Sequence, residues 1–251
     1  MDESGLGGRN AVSHQIYPSL SGALATWQQV EVLSNNLANA QTTGFKQTRV
    51  SFENVMASNL PLGDSFTAIA TEGVEMTDGA IRQTGVNTHV ALQGDGFLLV
   101  ESEDGREYLS RDGRLQLDGG RFLVNQHGER VLGQGGPIRV PIDEEVEIDL
   151  QGNVSSRRND GMEVMTNQLG RLRLVTADVV ESQGGNRFAA PEGYRDATNV
   201  QVYNGALEQS NTNAMVGMVD LIQANRYFEA YQKAMQASDT MDSQIYNLPR
   251  G

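Results

Sequence analysis

The 251-residue sequence contains no cysteine. That absence removes disulfides, thiolate nucleophiles and cysteine-ligated metals together, and it suits either a reducing cytosol or export through an oxidising space. No run of about 18 uncharged apolar residues occurs, so no segment reads as a membrane-spanning helix. The opening MDESGLGGRN is polar and acidic, where a cleaved secretory signal is basic and then apolar. Positive charge is scarce: 19 Lys plus Arg face 32 Asp plus Glu, for a net charge of −13. Phosphate backbones and anionic membrane surfaces are poor partners for such a chain, so neither nucleic-acid binding nor membrane insertion is expected.

Catalytic and ligand-binding patterns are missing too. His14, His89 and His127 are far apart and show no ligand spacing, so no metal or cofactor is expected. The pieces GLGGRN and GQGG lack the strand-before, helix-after context of a phosphate loop and read as turns. No Gly-x-Ser-x-Gly elbow, His-Glu-x-x-His or paired-carboxylate frame occurs, which argues against an enzyme. The acidic run Asp143 to Asp149 alternates Val146, Ile148 and Leu150 with Glu145, Glu147 and Asp149, the pattern of a half-buried strand with a solvated face.

What is present comes in two styles. Ile16, Leu20, Ala23, Trp27, Val30 and Leu37 follow a heptad-like spacing, with Ser34 in the seat between Val30 and Leu37. Pro18 fits only a first helical turn and Gly44 supplies a stop, so a helix is predicted from about Ile16 to Asn39. From Asn213 to about Tyr246 there is no proline and one glycine, Gly217, and Met215, Met218, Leu221, Ile222, Phe228, Tyr231, Met235, Met241 and Ile245 recur at helical spacings. Ser210 to Asn213 makes an N-cap cluster ahead of that second helix.

Between the helices the period changes to two. GFLLV, RLQLD, RFLVNQHG, IRVPI, VEIDL and RLRLV are strand candidates separated by Asp-Gly, Gly-Gly and Gly-Asn turns. The reading is an α+β chain: an N-terminal helix with its exit motif over 1–46, an extended connector over 47–78, an all-β domain over 79–202, and a C-terminal helix over 203–251 that pairs with the first in a coiled-coil-like layer. Each helical end carries a net charge of only −1, so the acidity sits in the middle. Two amphipathic helices at opposite ends of the chain leave much apolar surface for something else to cover.

Asn36-Leu37-Ala38-Asn39, followed by Thr42-Thr43-Gly44-Phe45-Lys46, resembles the N-terminal signature of the bacterial flagellar rod and hook family. Gly205 to Asn213, followed by Met218-Val219, Leu221-Ile222, Asn225 to Glu229 and Gln232-Lys233, is similar to its C-terminal signature. IRQTG, VALQGDGFLLV and YLSRDGRLQLD resemble the start of its β domain, so the likeness covers roughly Ile16 to Tyr246. Length, the Gly-Ala-Leu-Glu lead-in to the last helix, and GPIRVP most resemble subunits of the proximal rod, with the distal rod next. A glycine-rich first fifteen residues, Gln41, GVNTHVAL and Gly217 depart from the family pattern.

The resemblance implies a non-enzymatic axial subunit of the flagellar basal body, exported without a cleaved signal by the flagellar export apparatus. Its implied partners are copies of itself and neighbouring rod proteins in a helical assembly. The residues expected to carry assembly are Leu20, Trp27, Val30, Asn36, Leu37, Asn39, Gly44 and Phe45 at one end, with Leu207, Asn211, Asn213, Met218, Leu221, Ile222, Phe228, Tyr231 and Met235 at the other. Phe45 and Lys46 are expected to redirect the chain outward. Two other classes fit the residues: a carbohydrate-active or surface-binding β protein, and a bundled homo-oligomeric adaptor. The first wants convergent carboxylates or an aromatic platform in the middle, whereas the only tryptophan, Trp27, lies in the N-terminal helix.

Overall fold

The computed structural model describes residues 7–56, 65–159 and 164–246. The chain is α+β and divides into two compact units. One holds the terminal helices and residues 49–72; the other holds residues 39–48 and 73–213.

In the helical unit, α1 spans Gly7–Ala38 and α2 spans Ala214–Tyr246. The start of α1 corrects the sequence reading, because the helix passes through Pro18 instead of beginning beside it. Proline has no N–H, so the bond it would make to the His14 carbonyl is missing while the helical path is kept. The two helices lie side by side and antiparallel. The Trp27 and Phe228 rings are 5.8 Å apart, Gly22 lies against the Tyr231 ring, and a Cβ added at Gly217 would stand 4.0 Å from Leu37 Cδ1. A side chain at Gly22 would meet the Tyr231 ring at 2.7 Å, so the absence of Cβ there lets the tyrosine seat on the helix. Thr26 and Ser34 return their hydroxyls to the carbonyls of Gly22 and Val30.

The segment read as a connector is not merely extended. Thr48–Met56 and Ser65–Val74 form a two-stranded sheet. Val50 and Phe52 alternate with polar residues and Thr, Ile and Val fill the second strand, but the pairing between the strands is what makes them a sheet, and composition alone does not announce it.

The β unit is antiparallel throughout its ladders. The strand Phe97–Glu101 is its centre: Leu98, Leu99, Val100 and Phe97 are all buried, and three neighbours, Glu107–Ser110, Arg130–Gly133 and Leu174–Thr176, pair with it. A three-stranded sheet, Glu145–Ile148, Asn153–Asn159 and Val164–Arg171, contributes Val146, Ile148 and Val154 to the larger apolar cluster. A smaller cluster gathers Phe97, Leu99, Leu109, Val175 and Phe188. Two short ladders, Gln201–Asn204 on Val90–Gln93 and Ala206–Glu208 on Ile81–Gln83, bring the end of the unit back to its beginning.

Two further details differ from the sequence reading. Glu145 and Glu147 are exposed while Val146 and Ile148 are buried, but Leu150 is 63 % exposed because the strand stops at Ile148 and Leu150 falls in the following turn. IRVPI buries Ile138 and Val140 but makes only an isolated bridge, Arg139 to Phe122, and Pro141, which cannot donate to a ladder, follows at once. The exit motif, read as part of the helical end, belongs to the β unit, and so do residues 203–213.

Candidate assembly surface and exit-motif clasp

On α2, Gly217, Leu221, Ala224, Phe228, Tyr231, Met235 and Ser238 are at least partly covered, and they fall on alternating four- and three-residue steps. This stripe faces α1, as the Phe228, Tyr231 and Gly217 contacts show. Most of the other described positions of the helix are open. Met215 is 76 % exposed, and Met218, Val219, Ile222, Tyr227 and Met241 are also exposed. α1 shows the same division: Ala23 and Ala25 are buried and Val30 and Leu37 half-buried, whereas Leu20, Leu24 and Trp27, one turn apart, face solvent. Apolar residues grouped on one helical face mark a contact surface more often than an accident of composition.

The residues expected to assemble therefore fall into three groups. Leu221, Phe228, Tyr231, Met235, Val30 and Leu37 are half-buried in the helical unit. Leu20, Trp27, Met218 and Ile222 are exposed, as is Asn213 immediately before α2. Asn36 is buried near the end of α1. Asn39 opens the β unit's first segment, where its carbonyl accepts from the Thr42 amide at 3.0 Å and its side chain bonds the Thr42 hydroxyl. Gly44, Phe45 and Asn211 meet inside the β unit, and Leu207, buried, pairs with Arg82 in the ladder that ends at Glu208.

Their meeting point is a buried clasp. Gly44 takes φ +69° and its amide donates to the Glu208 carbonyl at 2.8 Å. A Cβ at Gly44 would stand 2.2 Å from the Arg111 carbonyl oxygen, and one at Gly79 would stand 1.9 Å from that of Gln209, so both places require glycine. Lys46 follows Gly44 and does not reach solvent. Its side chain is fully buried and its ammonium donates to Glu208 Oε1 at 2.7 Å and to the Thr77 carbonyl at 2.8 Å. The other carboxylate oxygen of Glu208 accepts from Arg111 Nη1 at 3.1 Å, and the Gly79 amide donates to Oε1 at 2.9 Å.

Arg111 is itself buried, lies 5.3 Å over the Phe97 ring and donates through Nη2 to the Gly94 carbonyl. Asp78, at 4.0 Å from Lys46 and 3.7 Å from Arg111, supplies the second negative charge, so two cations face two carboxylates. Burial, and then the Arg111 charge, pull the Lys46 amine below its ordinary value near 10.5, with Glu208 acting in the opposite sense. Removing one partner from such a buried cluster costs about 3–5 kcal/mol, because the charge left behind is both unpaired and dry.

Asn211 closes the clasp on the other side. Its amide donates to the Phe45 carbonyl at 3.3 Å, its Oδ1 accepts from the Gln47 amide at 2.8 Å, and its Nδ2 donates to the Glu75 carbonyl at 2.9 Å. Sequence reasoning picked out Gly44, Phe45, Leu207 and Asn211 but missed Glu208 and Arg111. Lys46 and Glu208 are 162 positions apart, and no local period connects them. The available signal was chemical: a lone lysine and a lone glutamate each set in an uncharged motif.

Among the described residues, no group of three His, Asp or Glu side chains is placed to hold a metal ion, and no helix is long and apolar enough to cross a membrane. A helical unit with open apolar faces and a β unit locked by an ion cluster are the features of an assembling structural protein. Three family descriptions match in chain order: "Flagella basal body rod protein" over residues 16–46, "Flagellar hook protein FlgE/F/G D1 domain" over 91–156, and "Flagellar basal body rod FlgEFG protein C-terminal" over 203–248. The chain is 35 % identical to the flagellar basal-body rod protein FlgF of Escherichia coli K12, over 91 % of this chain and 95 % of that one. It is 32 % identical to FlgF of Salmonella typhimurium LT2, over 94 % and 98 %. FlgG of Borreliella burgdorferi is 29 % identical, again over 94 % and 98 %. The chain belongs to the flagellar basal-body rod protein family, whose members are structural components of the basal body.

Proposed function

We propose that this chain is a subunit of the proximal rod, polymerising through its terminal helices with copies of itself and with neighbouring rod subunits into the shaft that carries motor torque to the hook. The observation that carries this reading is the set of apolar side chains left open on both helices, Leu20, Leu24 and Trp27 on α1 with Met215, Val219 and Ile222 on α2. A contact that joins two different faces of one subunit does not close on itself and so builds a helical shaft. The heptad spacing of the α2 seats supports a coiled-coil-like pairing of the two helices in the assembled wall. Two relatives at 32–35 % identity are named FlgF, which favours the proximal segment; a distal-rod role is the second reading, favoured by the FlgG relative at 29 %.

The chain reaches its place through the flagellar export apparatus, and a cysteine-free sequence suits passage through an oxidising space. Hook and basal bodies isolated from a motile strain carrying a tagged copy provide the test. The tag is expected in the rod fraction, between motor and hook; its confinement to the cell lysate would sink the reading.

A further inference from the structure

We propose that Glu208 and Asn211 form the fastening through which mechanical load enters the β unit. This rests on the rod reading, since a shaft subunit is one that works under torque. The chain passes between its two units at four places, after residues 38, 48, 72 and 213. Every passage is tied down inside the β unit close to where it begins. The first two share the segment Gly44 to Gln47, held by Glu208 through the Gly44 amide and the Lys46 ammonium. The third is held at Glu75 and Thr77, whose carbonyls accept from Asn211 Nδ2 at 2.9 and 3.2 Å. The fourth is the Glu208 to Asn211 segment itself.

Asn211 thus ties two other segments, Phe45-Gln47 and Glu75-Thr77, to its own. Glu208 holds Gly44, Lys46 and the Gly79 amide and joins them to the interior through Arg111, which sits on Phe97 in the centre of the unit. The passages are therefore bonded to one another before they are bonded to the sheets. A pull along the first, second or fourth passage meets the clasp before it reaches the apolar clusters, and on the third the clasp residues Glu75 and Thr77 alternate with Val74 and Met76, which pack on the smaller cluster. The Lys46–Glu208 pair is dry, with the Lys46 side chain at 0 % and that of Glu208 at 1 % exposure, so water does not stand ready to replace that bond when stretched; only Asp78, at the edge of the cluster, reaches solvent.

Forced unfolding of the full chain tests this. With no native cysteine, pairs of single cysteines give unique handles: Gln41→Cys with Asn213→Cys pulls across the clasp, and Glu103→Cys with Gln126→Cys pulls on two exposed loops of the same unit. Asn211→Ala and Glu208→Gln are expected to raise the forced-unfolding rate by roughly tenfold or more in the first geometry, the effect of losing a buried hydrogen bond to a charged or multiply bonded group. In the second geometry the change should stay within about twofold. An equal loss in both geometries would make the clasp an ordinary stabiliser and overturn the proposal, as would no loss in either. Should Glu208→Gln fail to fold, Asn211→Ala carries the comparison, since Asn211 is only half-buried. The rod reading is scored separately by the presence of the wild-type chain in isolated basal bodies; its absence there removes the role even if the pulling result holds.

Discussion

Gly44 is the residue on which the exit motif turns, for two independent reasons. Its φ of +69° disfavours any side chain, and the Arg111 carbonyl occupies the place a Cβ would take. Gly44→Ala should lower the stability of the β unit by about 1–3 kcal/mol, read as a drop in the urea midpoint; an unchanged midpoint would mean that the close approach is relieved at no cost. Lys46 makes a prediction in pH. Its folded-state value lies below the 10.5 of the unfolded chain, so between the two the unfolded chain binds more protons and stability through this group rises with pH. Wild type minus Lys46→Met should therefore show a stability difference that moves in favour of wild type as pH climbs through that interval, and a flat difference would contradict the burial of the amine. At this scale the sequence was only half legible. Gly44 announced itself as a stop and Asn211 as a capping residue, but the roles they play depend on Arg111 and Glu75, which no periodicity connects to them.

The helices were the most legible elements, because an apolar stripe repeated over many turns survives any local exception. α2 begins at Ala214 and ends at Tyr246, within a residue of the reading from pattern alone. α1 was misread at its start, where Pro18 outweighed the helical path on either side, and the Thr48–Met56 and Ser65–Val74 strands were invisible because each gains its meaning from the other. Within α2 the structure separates two kinds of apolar position that a helical period merges. Phe228 packs on Trp27 inside the subunit, whereas Ile222 is 55 % exposed. Phe228→Asp should weaken the helical unit itself and abolish swimming while the β unit keeps its own unfolding transition. Ile222→Asp should leave the isolated subunit within about 0.5 kcal/mol of wild type yet still block swimming. Normal motility with Ile222→Asp would remove the exposed stripe from the assembly surface.

For the whole molecule, charge and burial follow the same partition. The helical ends are nearly neutral with apolar faces open to solvent, and the acidic middle closes its core around Phe97–Glu101 and fastens its own ends with Lys46, Arg111 and Glu208. In the isolated subunit, amide exchange should accordingly be slow over Phe97 to Val100 and faster over Met215 to Ile222, where the helix covers only one stripe. The broad division into terminal helices and a middle β unit could be read from composition and period, whereas the placement of the exit motif within the β unit could not, since it depends on contacts between the two ends of the chain. The central claim is that the open helix faces join neighbouring subunits, and cross-linking in purified basal bodies tests it most directly. Single cysteines introduced by Leu24→Cys and Ile222→Cys into this cysteine-free chain should yield covalent ladders of rod subunits under a short bifunctional reagent. Recovery of the chain in the rod with both positions remaining unlinked, while exposed Leu150→Cys in the β unit links readily, would contradict the account.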